Sequence, residues 1–253
     1  GHMTFGLVSV PIKLSPAART ETIAFNQLHS CGAKIKMPTH CPVCDRDVER
    51  KELHKGYVVG GTKDHPIFVH VTEDDLSGLI ITDRVFEVLE FVKVDEIDPL
   101  YYDKSYHVTP EREGEKAYSL LLTAMAKAGM AGIAKITMSQ REHICLIRTI
   151  PTIQGAGGII VLHTLYYPDE VREPVSVSTA PVSEQELAMG VMLINAMARP
   201  FVPDKYTDKY RLSVLAMLKA KQEGQEIEHA IVPAKDVFVD LMAQLKASMK
   251  VVR

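Results

Sequence analysis

The chain has 253 residues, 46% of them hydrophobic and 24% charged, with a net charge of −3 and four cysteines. That composition is ordinary for a soluble globular protein, and the length allows one elaborate domain or two modest ones. It argues against a uniformly basic nucleic-acid coat and a disulfide-stapled secreted scaffold, and the absence of a membrane-length apolar run or secretory signal argues against a membrane protein. A reducing cytoplasm is the expected setting. Gly1-His2 ahead of Met3 has the look of a vector-derived remnant and is left out of the fold.

The first two-thirds read as mainly β. Short runs rich in Val, Ile and aromatics, separated by Gly, Pro or acidic turns, predict strands at Leu7–Leu14 and Ile23–His29. The next window holds three of the four cysteines: His29-Ser30-Cys31 and then Cys41-Pro42-Val43-Cys44. A CxxC pair presents two thiolates on one tight turn, which suits tetrahedral zinc, and Cys31 supplies a third. The fourth ligand is His29, which shares a face with Cys31 if the segment is extended, or His40, whose adjacency to Cys41 hinders joint ligation. The competing reading is three reduced thiols that merely lie close in sequence.

Further strands are predicted at Lys55–Gly60, Ile67–Val71, Val85–Val94 and Tyr106–Thr109, then at Gly132–Ser139, His143–Ile150 and Gly158–Tyr167. Gly155–Gly158 is read as the hairpin joining the last two. One helix interrupts them: Ala117, Leu121, Leu122, Met125 and Ala128 keep helical spacing from Glu115, and Gly129 stops it. After Pro181 the pattern turns helical. Ser183 and Glu186 form a capping box ahead of the stripe Leu187, Val191 and Ile194, and Arg199-Pro200 closes it. A second helix is predicted from Asp208 to Glu223, ending at Gly224, and a third carries Val237, Leu241, Leu245 and Met249. Each stripe is most simply core or interface packing.

Charge is uneven along the chain. Between Thr72 and Asp103 ten acidic residues face only Arg84 and Lys93, which makes this stretch −8 and the remainder +5. Basic residues gather in two places. Lys34, Lys36, Arg46, Lys51 and Lys55 surround the cysteine window, and strand-like alternation about Ile35 puts Lys34 and Lys36 on one face. Lys135, Arg141, His143 and Arg148 span two neighbouring strands. Such groups pair with phosphates of any sequence, and the lack of interleaved aromatics favours a duplex over a single strand. The competing reading is two solvated faces. No phosphate loop, dinucleotide fingerprint, HExxH or GxSxG is present, so nothing marks an enzyme.

Ordered blocks along the chain resemble prokaryotic Ku, the DNA-end-binding family of bacterial non-homologous end joining. They begin with Phe5-Gly6-Leu7-Val8-Ser9-Val10-Pro11-Ile12-Lys13-Leu14. They continue through Phe25-Asn26-Gln27-Leu28-His29, Lys55-Gly56-Tyr57, Leu89-Glu90-Phe91 and Asp95-Glu96-Ile97-Asp98-Pro99. Glu115-Lys116-Ala117-Tyr118, Arg141-Glu142-His143, Leu165-Tyr166-Tyr167-Pro168-Asp169-Glu170-Val171-Arg172 and Tyr206-Thr207-Asp208-Lys209-Tyr210-Arg211 complete the series.

The resemblance implies an α+β fold. A β-barrel core with an extended DNA-encircling arch would occupy residues 1–180, with the cysteine window near 29–55 in the arch, and a C-terminal helical arm would occupy 181–253. It further implies a ring-shaped homodimer that threads onto double-stranded DNA ends, recruits the ATP-dependent DNA ligase D and performs no catalysis. The Lys-rich tail of many relatives is not seen after Lys250-Val251-Val252-Arg253, so binding is expected to lean on threading and to fall with salt. The alternative is a zinc-stabilised protein-binding scaffold without DNA-end activity. A metal-dependent nuclease, resting on the acidic stretch alone, is a more distant one.

Overall fold

The computed structural model describes residues 1–77, 85–138, 141–151, 158–177 and 180–224. In chain order the strands are β1 (His2–Phe5), β2 (Val8–Pro16), β3 (His40–Cys41), β4 (Arg46–Asp47), β5 (Lys55–Gly61) and β6 (Pro66–Val71). They continue with β7 (Val85–Val92), β8 (Tyr102–Pro110), β9 (Ala131–Met138), β10 (Arg141–Pro151) and β11 (Gly158–Leu165). The helices are α1 (Glu73–Ser77), α2 (Glu115–Ala128), α3 (Glu184–Met197) and α4 (Lys209–Gln222).

Seven strands close into a barrel in the order β1-β2-β8-β11-β10-β9-β7. Every pairing is antiparallel except the closing seam, where β1 runs parallel to β7 with Met3 opposite Phe86. Period-two alternation sends Met3, Val10, Ile12, Phe86, Val108, Ile147, Ile160 and Leu162 into one fully or nearly fully buried core. The opposite face of β9, β10 and β11 is also covered. Ala131, Ile133, Leu146 and Leu165 form a second cluster there with Ile97, Tyr101 and Tyr102 packed against it.

Helix α2 adds Tyr118, Leu121 and Met125 to the barrel core, spaced as one helical face. It ends where predicted, at Gly129 in the left-handed conformation, whose N–H donates to Met125 C=O. Its start needs glycine for a different reason: a Cβ on Gly114 would lie 2.8 Å from the Pro11 carbonyl oxygen. The Tyr118 hydroxyl donates to Val108 C=O at 2.7 Å and accepts from Ile160 N–H at 2.8 Å, tying α2 to both β8 and β11. Tyr118→Phe keeps the shape and strands those two backbone groups, at about 1–3 kcal/mol for a buried group left unpaired. Thermal unfolding should register the change as a fall in Tm of roughly 2–12 °C.

Two expectations are corrected here. Gly1-His2 is part of the barrel: His2 lies in β1, and Gly1 exchanges backbone hydrogen bonds with Ile12 at 2.8 and 3.0 Å. Ile23–His29 forms no strand and keeps only an isolated bridge from Leu28 to Lys34. A strand needs a free ladder edge, and each of the seven barrel strands already has two partners.

The chain divides into two compact units, one of Gly1–Glu21 with Phe25–Glu173, the other of Thr22–Ala24 with the described chain from Pro174 onward. In the second unit the Ser183–Glu186 capping box opens α3 as expected, and Asp208 caps α4 by accepting from Arg211 N–H at 2.9 Å. Neither helix buries a side chain. The predicted helix around Val237–Met249 and the Gly155–Gly157 part of the predicted hairpin turn lie outside the described residues. No helix among the described residues is long and apolar enough to cross a membrane.

Candidate nucleic-acid interface

Strands β5 and β6 form a separate two-stranded ribbon in which every residue of β5 is exposed and β6 is partly covered only at its ends. A free two-stranded ribbon is marginal by itself. Its turn is tightly specified: Gly61 sits at φ +90°, and a Cβ there would lie 2.2 Å from the His65 carbonyl oxygen. Ribbon and cysteine window together make a long, thin excursion from the barrel between β2 and β7.

The nine predicted DNA contacts fall into three groups. Lys34 and Lys36 are exposed on an extended stretch and form no salt bridge among the described residues. Five others are paired: Arg46 with Glu52 at 2.6 Å, Lys51 with Glu49 at 2.8 Å, Lys55 with Glu73 at 2.8 Å, Lys135 with Glu142 at 3.0 Å, and Arg141 with Glu170. Exposed pairs of this kind are worth about 0–1 kcal/mol, so phosphates can displace the carboxylates at small cost.

Arg148 and His143 are different cases. Arg148 Nε donates to His163 Nε2 at 3.0 Å, which leaves the imidazole proton on Nδ1, 2.8 Å from Ser105 Oγ. Burial and the nearby Arg148 guanidinium push His163 down to about 4, so it is a neutral structural link and gives Ser105 no general base. His143 is half-buried on β10. Charge clustering also passes over Lys63, which is exposed in the ribbon turn. A single lysine beside Asp64 carries no cluster signal, and only the turn between two apolar strands marks it.

Arg141 and Lys135 belong to a network that binds the Tyr166–Arg172 block to the β9–β10 pair. Arg141 pairs with Glu170 and lies 6.0 Å from the Tyr167 ring centroid, Tyr167 N–H donates to Glu170 at 2.9 Å, and Tyr167 OH reaches Glu142 at 3.4 Å. The Arg141 guanidinium holds the Glu170 carboxyl below its ordinary range.

Three carboxylates of the acidic stretch are engaged in local structure. Asp75 accepts from Thr72, Asp98 caps the Pro99–Tyr101 turn through Leu100 N–H at 2.8 Å, and Asp103 accepts from Thr164 and Tyr166. Among the described residues no three His, Cys, Asp or Glu side chains converge on a position for a metal ion. The predicted ligands form two separate pairs. His29 Nδ1 lies 3.1 Å from Cys31 Sγ, and hydrogen bonds from the backbone N–H groups of Cys44 and Val43 and from the Cys44 side chain hold the free Cys41 thiol below its ordinary range. Cys145 is fully buried in the barrel, where desolvation pushes its thiol up to about 12 and keeps it inert.

A closed barrel with an exposed ribbon inserted between β2 and β7 defines a class of its own, and the family profile described as the Ku70/Ku80 beta-barrel domain matches residues 4–189. The chain is 38% identical over 252 residues to the "Non-homologous end joining protein Ku" of Desulfitobacterium hafniense, covering 98% of this chain and 85% of that protein. Proteins of the same description in Koribacter versatilis and Bacillus subtilis are 38% and 33% identical over 98% of this chain, and 84% and 80% of their own lengths are covered. The chain belongs to the bacterial Ku family, and its α+β barrel is the fold expected from the sequence.

Proposed function

We propose that this protein binds double-stranded DNA ends without sequence preference as a ring-shaped homodimer, and that it recruits a ligase for end joining without catalysing a reaction itself. The observation that carries the reading is the β5–β6 ribbon, exposed throughout β5 and at every β6 position but the two ends. A globular domain gains nothing from a ribbon with two bare faces, whereas a ring needs a slender span between barrel and partner. Lys34, Lys36 and Lys63 place cations on the same excursion, and family membership supplies the matching activity. The protein would work in the cytoplasm, on the chromosome. The scaffold reading has no observation of its own in its favour.

Threading makes a distinctive prediction. In a gel shift, a short blunt duplex should bind far better than the same duplex closed at both ends by bulky hairpins. Affinity for the open form should fall steeply with salt, because each neutralised phosphate contributes about 0.9 to the log–log slope. Equal binding to open and closed duplexes would remove the end-loading ring and return the scaffold reading to the front.

A further inference from the structure

We propose that Ser105 and His163 are positioning residues that hold the Arg148 guanidinium as a ready-made clamp for one phosphate of the duplex backbone. This rests on the DNA-binding reading above and adds to it a relay of side chains across three neighbouring strands. Cys145 and Ile147 on β10, and Ile160 and Leu162 on β11, belong to the barrel core. Strand alternation therefore turns Arg148 and His163 to the outer face. Ser105 on β8 lies directly across from His163, and His163 lies across from Leu146, the outward position next to Arg148.

The relay grips the guanidinium by one edge. Arg148 Nε donates to His163 Nε2 at 3.0 Å, and His163 Nδ1 donates to Ser105 Oγ at 2.8 Å. His163 is 8% exposed, and the Tyr102 ring meets it edge-on with the centroids 5.1 Å apart. An imidazole engaged at both nitrogens and packed against an aromatic ring keeps one tautomer and one orientation. Arg148 spends only its Nε–H on this bond. Among the described residues its two terminal amino groups, the fork that meets a phosphate bidentately, have no partner.

The charge of Arg148 is also left unspent. Arg46, Lys51, Lys55, Lys135 and Arg141 all meet carboxylates, whereas Arg148 meets a neutral ring. The outward positions around it, Leu146, Ile150, Val161, His163 and His107, carry no carboxylate. A half-buried guanidinium that is hydrogen-bonded but not neutralised has given up hydration without gaining a counter-charge. An anion arriving from outside supplies that charge. No ion pair has to break when it binds, and the side chain is already ordered in the free protein.

The role of Ser105 follows from the tautomer. In Ser105→Ala the Nδ1 proton loses its acceptor, and the imidazole is free to carry its proton on Nε2 instead. Nε2–H then opposes Arg148 Nε–H, donor against donor, and the guanidinium loses its seat although no atom of Arg148 has changed.

A double-mutant cycle on the full-length chain, read by gel shift of the open blunt duplex over a range of salt, tests the relay. Arg148→Gln should weaken binding roughly 10–100-fold, the worth of a hydrogen bond to a charged group. The log–log salt slope should become shallower by about 2 per dimer, one phosphate for each protomer. Arg148→Lys should not restore either, because an ammonium has no Nε–H to seat on His163 and no fork. Ser105→Ala should reproduce most of the loss in the parent and add nothing in the Arg148→Gln background. Circular dichroism of each variant should show the barrel intact. Additive losses, or a Ser105→Ala chain that binds like the parent, overturn the positioning role. An unchanged slope in Arg148→Gln overturns the clamp while the parent's end binding stands, and a parent that binds no duplex overturns both.

Discussion

Leu187→Asp combined with Val191→Asp should yield a monomer that no longer binds duplex ends. The two side chains are 62% and 47% exposed on α3, and Ile194 on the same stripe is 69% exposed. A capped, largely apolar helix with no buried side chain among the described residues has apolar surface available to a partner. In a symmetric dimer each substitution counts twice. Burial of one such side chain is worth about 1.5–3 kcal/mol, so four lost contacts amount to roughly 6–12 kcal/mol before the cost of the buried carboxylates. Association weakens by at least about 10⁴-fold, since each 1.4 kcal/mol is tenfold. Light scattering reads the oligomer and the open-duplex gel shift reads the activity. A dimer that survives the double substitution would remove α3 from the interface.

Lys34→Gln with Lys36→Gln should flatten the salt dependence of end binding. Two phosphate contacts per protomer are lost, four per dimer, and the log–log slope becomes shallower by about 3–4. Among the described residues these lysines pair with no carboxylate, which leaves their charge available to phosphate. Arg141→Gln provides the contrast: it breaks the Glu170 pair and the Tyr167 contact, and it should disturb the β9–β10 junction more than the slope. An unchanged slope in the lysine variant, with the fold intact by circular dichroism, would take Lys34 and Lys36 out of the DNA channel.

Much of the barrel was legible because its signals are local. Period-two apolar runs mark β2, β7, β9, β10 and β11, and the Gly129, Ser183–Glu186 and Asp208 signals mark helix ends that the structure reproduces. What the sequence hid was pairing. Ile23–His29 has strand-like alternation but meets no free edge, and His2–Phe5 is too short to stand out although it completes the closed ladder. At the candidate site, charge clustering singles out two segments and does not separate free cations from paired ones. Glu52, Glu73 and Glu170 reach their partners through folding, and the engagement of Arg148 with His163 arises only because β10 and β11 pair in register.

The parallel seam of β1 with β7 also sets a schedule for synthesis. Met3 leaves the ribosome long before Phe86, its partner across the seam. At about 5–20 residues per second the first strand waits on the order of ten seconds for that partner. During the wait β1 can form only its hairpin with β2, and the whole ribbon excursion is made before the seam can close. Closure of such a distant contact makes folding slow and order-dependent. Nascent chains therefore pass through an open-edged stage that outlasts translation of the ribbon and ends only after β11 has been made.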